Sequence, residues 1–184
     1  MPREVREGDI ALARGAAHRA FTLVVVRDYE GGRVLLGEKL RGFGAGYYNG
    51  FGGKVERGET VEAAAARELT EEANVEATNM TRRGALRFVF DDKPLEPWLV
   101  HVFHCSRYDG EIAASDEMRP EWFDLDDVPF ENMWADDPYW WPLFLEEKEF
   151  VGTFTFTNTT TLVDYWIRET KDLMLDVEAM TANE

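Results

Sequence analysis

The sequence holds a single cysteine, Cys105, among 184 residues. An internal disulfide is therefore excluded, and a reducing, cytoplasmic compartment is expected. Cys105 lies in a strand-like apolar run, where a buried, inert thiol is the expectation. Apolar runs long enough to cross a bilayer are missing as well, so no membrane partner is expected. The opening stretch MPREVREGDIALARG lacks an apolar signal-peptide core, and its acidic residues argue against a transit peptide. Positive charge is scarce: 20 Lys and Arg face 36 Asp and Glu, a formal net charge of -16. Such a chain repels a phosphate backbone, which excludes a nucleic-acid polymer as its expected partner. A small phosphorylated molecule remains admissible if divalent cations stand between acid and phosphate.

What is present reads as a globular chain with 45% hydrophobic and 30% charged residues. No repeat or low-complexity segment interrupts it. Residues 1–18 read as a polar leader, 19–172 as the folded domain, and 173–184 as a tail or an extension of the last helix. FTLVVVRD and RVLLGEK are apolar and β-branched, which predicts two strands joined at Glu30-Gly31-Gly32. TVEAAAARELTEEA is rich in helix formers, with Thr60 placed to cap its start. GALRFVFDD, WLVHVFHCSRYDGE and FVGTFTFTNTT predict further strands, and EWFDLDDVPF is short and mixed. TLVDYWIRETKDLML shows helical spacing and predicts a second amphipathic helix. The fold class expected is α+β, a mixed sheet in a three-layer sandwich.

RGFGAGYYNGFGG carries six glycines in thirteen residues, which permits close approach of a ligand to backbone. The helix after it places Glu68, Glu71 and Glu72 at i, i+3 and i+4, on one face. Three like charges there repel one another unless solvated or neutralised by a cation. Hard oxygen donors at this density suit Mg²⁺ or Mn²⁺ together with substrate phosphate oxygens. Glu59 and Arg67 are spaced to orient the loop and these carboxylates. A merely solvated acidic helix is the plain alternative; the glycine-rich approach and Glu59 weigh against it.

GGKVERGETVEAAAARELTEEANV resembles the Nudix box: G, five residues, E, seven residues, R-E-aliphatic, one residue, E-E, one residue, G, aliphatic. One position departs, Asn74 for the last glycine, and asparagine is the next-best residue for a left-handed cap. RVLLGEKLRGFGAGYYNGFGGKV, SDEMRPEWFDLDDVPFENMWADDPYWWPL and FVGTFTF extend the resemblance from about Phe21 to Glu169. They are similar to one Nudix branch, the animal MutT homologues that hydrolyse oxidised purine nucleoside triphosphates. The resemblance implies a Nudix α/β/α sandwich. It implies Mg²⁺-dependent hydrolysis of 8-oxo-dGTP and 2-hydroxy-dATP to monophosphate and pyrophosphate, which would sanitise the nucleotide pool. It also implies metal ligation by Glu68, Glu71, Glu72, Glu117 and the Gly52 carbonyl. The group that deprotonates water stays open between Glu71, Glu117 and the metal alone.

The same resemblance implies a substrate set. Lys39, Phe51, Gly53 and Lys54 fall at substrate positions, as does Thr22, whose side chain otherwise reads as strand packing. Asn49 can donate to and accept from a purine edge. Asp136 and Asp137, in MWADDPYWW, look alone like a turn. As two close, partly desolvated carboxylates they are expected to ionise unequally, one donating while the other accepts. Trp134 would offer a stacking face, with Phe43, Phe88 and Met118 as apolar walls. Trp98 stands where the family has a methionine and Tyr48 where it has a tryptophan. Trp98 is expected either to narrow the pocket or, if the loop Asp91–Pro97 shifts, to stand outside it. Two other readings stay open: hydrolysis of another nucleoside diphosphate derivative, and nucleotide binding without hydrolysis. A monomer is expected.

Overall fold

The computed structural model describes residues 3–4, 18–91 and 96–182. Its first elements are strands β1 (Arg3–Glu4), β2 (Arg19–Asp28), β3 (Arg33–Lys39) and β4 (Tyr48–Asn49), then helix α1 (Val61–Ala73). Strands β5 (Val75–Phe90), β6 (Trp98–Gly110) and β7 (Met118–Asp124) follow, and a 3-10 turn over Phe130–Asn132. Helix α2 (Asp137–Leu145), strands β8 (Phe150–Thr157) and β9 (Thr161–Glu169), and helix α3 (Leu173–Thr181) are the last elements of the described residues. Two units emerge: Phe21–Arg82 with Val102–Trp134, and Met1–Ala20 with Arg83–His101 and Ala135–Glu184. Strands β5 and β6 supply residues to both.

In the Phe21–Arg82/Val102–Trp134 unit, β3 pairs antiparallel with β2, β4 and β7. Its core gathers Val24, Val26, Leu35, Phe51, Phe103 and Met118. α1 adds Ala65, Leu69 and Ala73, spaced i, i+4 and i+8 along one stripe. The helix starts where expected: Thr60 Oγ1 accepts from the Ala63 N–H at 3.1 Å. It stops at Asn74, whose φ of 61° and ψ of 28° are left-handed, and whose N–H donates to the Thr70 carbonyl. Asparagine thus does the work of the box glycine.

In the other unit, β8 runs parallel to β5, from Gly84 against Phe150 to Phe90 against Phe156. It runs antiparallel to β9, which pairs parallel with β1. Strand pairing is therefore mixed, as expected. Ala85, Leu99, Val151, Leu173 and Val177 form this unit's own cluster, joined by Trp166 and Met180.

Three sequence expectations need correction. The helix predicted over TLVDYWIRETKDLML is a strand followed by a separate helix. Thr161, Val163, Tyr165, Trp166 and Ile167 are β-branched or aromatic, and Asn158 and Thr159 take positive φ to turn β8 into β9. α3 then starts afresh, with Asp172 Oδ1 accepting from the Leu175 N–H at 3.0 Å. Secondly, β5 begins at Val75, well before GALRFVF, and Met118–Asp124 is a full strand. Thirdly, Asp136-Asp137-Pro138 opens a helix. Asp136 sits at the N-cap position, and Asp137 and Pro138 start α2. Cys105 is fully buried, and burial pushes its thiol up to about 11. Among the described residues no helix is long and apolar enough to cross a membrane.

Candidate active site

Within the Phe21–Arg82/Val102–Trp134 unit, a cleft of about 640 Å³ is lined by Glu68, Glu71 and Glu72 of α1, Glu117, and the cations Lys39, Arg41, Lys54 and Arg67. Gly52, Gly53, Glu56, Ser115 and Asp116 complete the wall. Helical spacing brings the three α1 carboxylates to one side, and each is held differently. Glu72 is turned inward and only 3% exposed. Its Oε2 accepts from the Gly52 N–H at 2.8 Å, and its Oε1 from Lys39 Nζ at 3.1 Å. Burial nevertheless holds its carboxyl above the ordinary range. Burial also raises Glu68, against the opposing pull of Arg67 at 2.8 Å. Glu71 is more open and meets Arg67 at 3.1 Å.

Arg67 is the organiser of this corner. Its Nε and Nη2 donate to the two oxygens of Glu59 at 2.9 and 3.1 Å, a bidentate pair. Nη2 also donates to the Lys54 carbonyl at 3.3 Å. Glu59 in turn accepts from the Glu56 N–H, and the Arg67 guanidinium holds its carboxyl below the usual range. The loop before α1 is therefore tied to the helix that carries the carboxylates, as the spacing predicted.

Gly52 and Gly53 are required by space. A Cβ on Gly53 would lie 2.5 Å from Glu68 Oε1, and one on Gly52 would lie 2.0 Å from the Thr22 carbonyl oxygen. Glu117 arrives from a turn in which Ser115 Oγ accepts from the N–H groups of Glu117 and Met118 at 3.2 and 3.1 Å. Arg41 reaches it at 2.6 Å and Lys39 at 3.5 Å. The Arg41 bond lowers its carboxyl below the usual range.

A loop that lets backbone approach a row of carboxylates, closed by an arginine–glutamate clasp, is the arrangement the box pattern implied. The NUDIX domain family model matches residues 16–144. The chain belongs to the Nudix family. This Nudix chain is 49% identical over 155 residues to the oxidized purine nucleoside triphosphate hydrolase of Danio rerio, covering 84% of this chain and 97% of that protein. It is 47% identical to the Mus musculus protein of the same name, covering 82% and 95%. Among solved structures, a MutT protein from Bacillus halodurans superposes with a TM-score of 0.72 at 29% identity, covering 81% of this chain and 97% of that one. The mixed strand pairing and, among the described residues, three helices match the Nudix fold seen there.

The family is typically dependent on a divalent metal. Among the described residues, no three acidic, imidazole or thiolate groups converge closely enough to enclose an ion. Cations of the chain pair with these acids: Arg67 bridges Glu68 and Glu71, and Lys39 bridges Glu72 and Glu117. The donor set still fits. Four carboxylates line one cleft, and burial holds Glu68 and Glu72 above their ordinary range, a cost that a bound cation relieves.

The residues expected to contact the base have varied surroundings. In the unit that holds the cleft, Asn49 ends β4 and its Oδ1 accepts from the Gly50 N–H at 2.9 Å. Trp134 is stacked by Phe43 at 4.9 Å and by Tyr47 at 5.1 Å, so the indole is engaged by the glycine-rich loop. Phe51 and Met118 are core residues at 0% and 1% exposure, and Thr22 is buried at 3%. Tyr48 donates to Glu121 at 2.9 Å and sits edge-on to Phe123. In the other unit, Asp136 and Asp137 are 4% and 2% exposed. Burial pushes the Asp136 carboxyl up to about 7. Phe88 stacks on Phe154 and Trp98 sits edge-on to Phe90. Residues 92–95 of the loop before Trp98 lie outside those described.

Sequence reasoning missed Arg41, Ser115, Tyr47 and Trp140. Arg41 and Tyr47 stand in the glycine-rich loop and were visible there as charge and ring. The Ser115 turn had only a weak signal, serine two residues before the acid. Trp140 follows from α2, which was itself missed.

Proposed function

We propose that this chain hydrolyses oxidised purine nucleoside triphosphates, 8-oxo-dGTP and 2-hydroxy-dATP among them, to the monophosphate and pyrophosphate with Mg²⁺. The observation that carries the chemistry is the cleft that sets Glu68, Glu71, Glu72 and Glu117 against Lys39, Arg41 and Lys54. Two curated proteins named for the same activity, alike over more than four fifths of this chain, support the substrate class.

When bound, Mg²⁺ or Mn²⁺ would neutralise phosphate charge and acidify water, held by Glu68, Glu71, Glu72, Glu117 and the Gly52 carbonyl. Lys39 and Lys54 bind phosphate oxygens through compact ammonium charges. Gly53 keeps the loop close to Glu68, and Arg67 with Glu59 holds that loop in register with α1. Glu117, whose carboxyl Arg41 holds below the usual range, and Glu71 are the two candidates to take a proton from the attacking water, with the metal alone as the third route. Base recognition draws on the Asn49 amide and on the Asp136–Asp137 pair, where a neutral carboxyl donates and an ionised one accepts. Phe43, Phe88 and Trp134 supply apolar and aromatic surface for the base, and Trp98 either narrows that pocket or stands outside it. A site that pairs its polar groups with one base edge rejects a base that leaves them unpaired.

The test is a product screen with Mg²⁺ over oxidised and undamaged dNTPs, a dinucleotide and a capped RNA, resolving pyrophosphate from phosphate. Pyrophosphate release concentrated on oxidised purines is expected. Cleavage confined to the dinucleotide or the cap overturns the proposal.

A further inference from the structure

Trp140 lies one helical turn beyond Asp136 on α2 and is 1% exposed. Its indole Nε1–H donates to Asp136 Oδ2 at 3.1 Å. The ring has no room to turn away. It stacks on Phe150 at 5.9 Å, meets Phe144 edge-on at 5.9 Å, and lies 5.3 Å from Trp141. An indole nitrogen is a donor only. Oδ2 must therefore act as an acceptor, whatever the charge of the carboxyl. A proton on Asp136 is then favoured on Oδ1, because a carbonyl oxygen is a better acceptor for the indole N–H than a hydroxyl oxygen.

We propose that Trp140 is a positioning residue for base recognition: its N–H commits Oδ2 of Asp136, so that Oδ1 alone switches between donating to and accepting from a purine. The inference rests on the reading that Asp136 meets the base, and deepens it by naming the atom and the residue that selects it. On α2 itself the titratable neighbours are Asp137 and the Tyr139 phenol. From β9 comes the Tyr165 phenol, 4.2 Å from Tyr139 between ring centres. From β8, Phe150 stacks on the Trp140 ring and Phe154 lies against Tyr139. Burial favours the neutral acid; the Trp140 bond, and after it the backbone N–H of Asp136 itself, oppose it by stabilising the charged form. Removing the N–H should therefore keep Asp136 protonated to higher pH.

The cleanest perturbation places benzothienylalanine at position 140, which exchanges the N–H for sulfur at nearly constant shape. Trp140→Phe serves as the second variant. For the unaltered enzyme, the ratio of 8-oxo-dGTP to 2-hydroxy-dATP turnover should change with pH around the Asp136 titration. In both variants that midpoint should move up by about one unit or more, the size of a hydrogen bond to a charged group. A readout independent of substrate is the Trp140 indole N–H resonance in the free protein. It should follow the same midpoint and stop titrating in Asp136→Asn. A preference for oxidised purines with an unmoved midpoint, or an indole resonance that does not titrate, overturns the Trp140 inference alone. Absence of any preference for oxidised purines removes the functional reading and this inference with it.

Discussion

Gly52 and Gly53 are neighbours in sequence, yet alanine at the two positions should fail in different ways. At Gly53 the added Cβ meets Glu68 Oε1, Cδ and Oε2 at 2.5, 2.7 and 2.8 Å. All three atoms are the far end of a side chain. The carboxylate can retreat by about an ångström to ordinary contact distance, at the expense of its Arg67 bond. Folding should survive, with a loss of about 1 kcal/mol. Catalysis should not, because a misplacement of about 1 Å costs on the order of 10²-fold. At Gly52 the Cβ meets the Thr22 carbonyl oxygen at 2.0 Å, its carbon at 2.6 Å and Leu23 Cα at 3.0 Å. These are backbone atoms. They belong to a ladder in which Thr22 N–H donates to Gly53 O, and Val24 and Phe51 exchange bonds at 2.6 and 2.8 Å. Relief requires the ladder to open, at about 3 kcal/mol or more. For a chain of this length that lowers Tm by on the order of 10 °C. Thermal unfolding and pyrophosphate-release kinetics on both variants provide the assay. A Gly53→Ala protein with unchanged kcat/KM, or a Gly52→Ala protein as stable as its parent, would refute the reasoning.

Other perturbations separate the remaining parts. Asp136 is raised in the folded state from 3.8 to about 7, so the folded chain holds a proton that the unfolded chain releases. Its contribution to stability is full below the lower value and is lost as pH rises through about 7. Asp136→Asn should therefore show a flatter Tm between those pH values than the parent; an equal slope would contradict the assignment. Asn74→Gly keeps the left-handed cap but loses the Asn74 Nδ2 bond to the Glu111 carbonyl. Stability should change by no more than about 1 kcal/mol, with activity intact; a large fall in rate would show that Asn74 does more than cap. Glu72→Gln removes the most buried of the cleft carboxylates, and Mn²⁺ titration followed by electron paramagnetic resonance should show weakened binding; unchanged affinity would remove Glu72 from the ligand set.

The cleft was legible because its chemistry is local. Glu59, Arg67, Glu68, Glu71 and Glu72 lie within fourteen residues, so helix period and loop length alone bring them together. Lys39 and Glu117 are far apart in sequence and were reached by resemblance; their meeting depends on the β3–β7 pairing, which places Lys39 opposite Met118. β9 was misread because Leu162, Tyr165, Trp166 and Leu173 also suit an apolar helical stripe, while its pairing with β8 is a long-range fact. α2 was hidden because its aromatic and proline content weakens helix propensity, and tertiary packing of Trp140, Trp141 and Phe144 overrides it. Phe51 and Met118 show the limit of carrying roles by position: both are core side chains, and their backbone neighbours lie nearer the chemistry.

The central claim is tested most directly by kcat/KM for 8-oxo-dGTP against dGTP, with Mg²⁺ at neutral pH and pyrophosphate measured as product. The account predicts a ratio of about tenfold or more in favour of the oxidised base, the scale of a hydrogen bond gained at its edge. A ratio of one or below would contradict it.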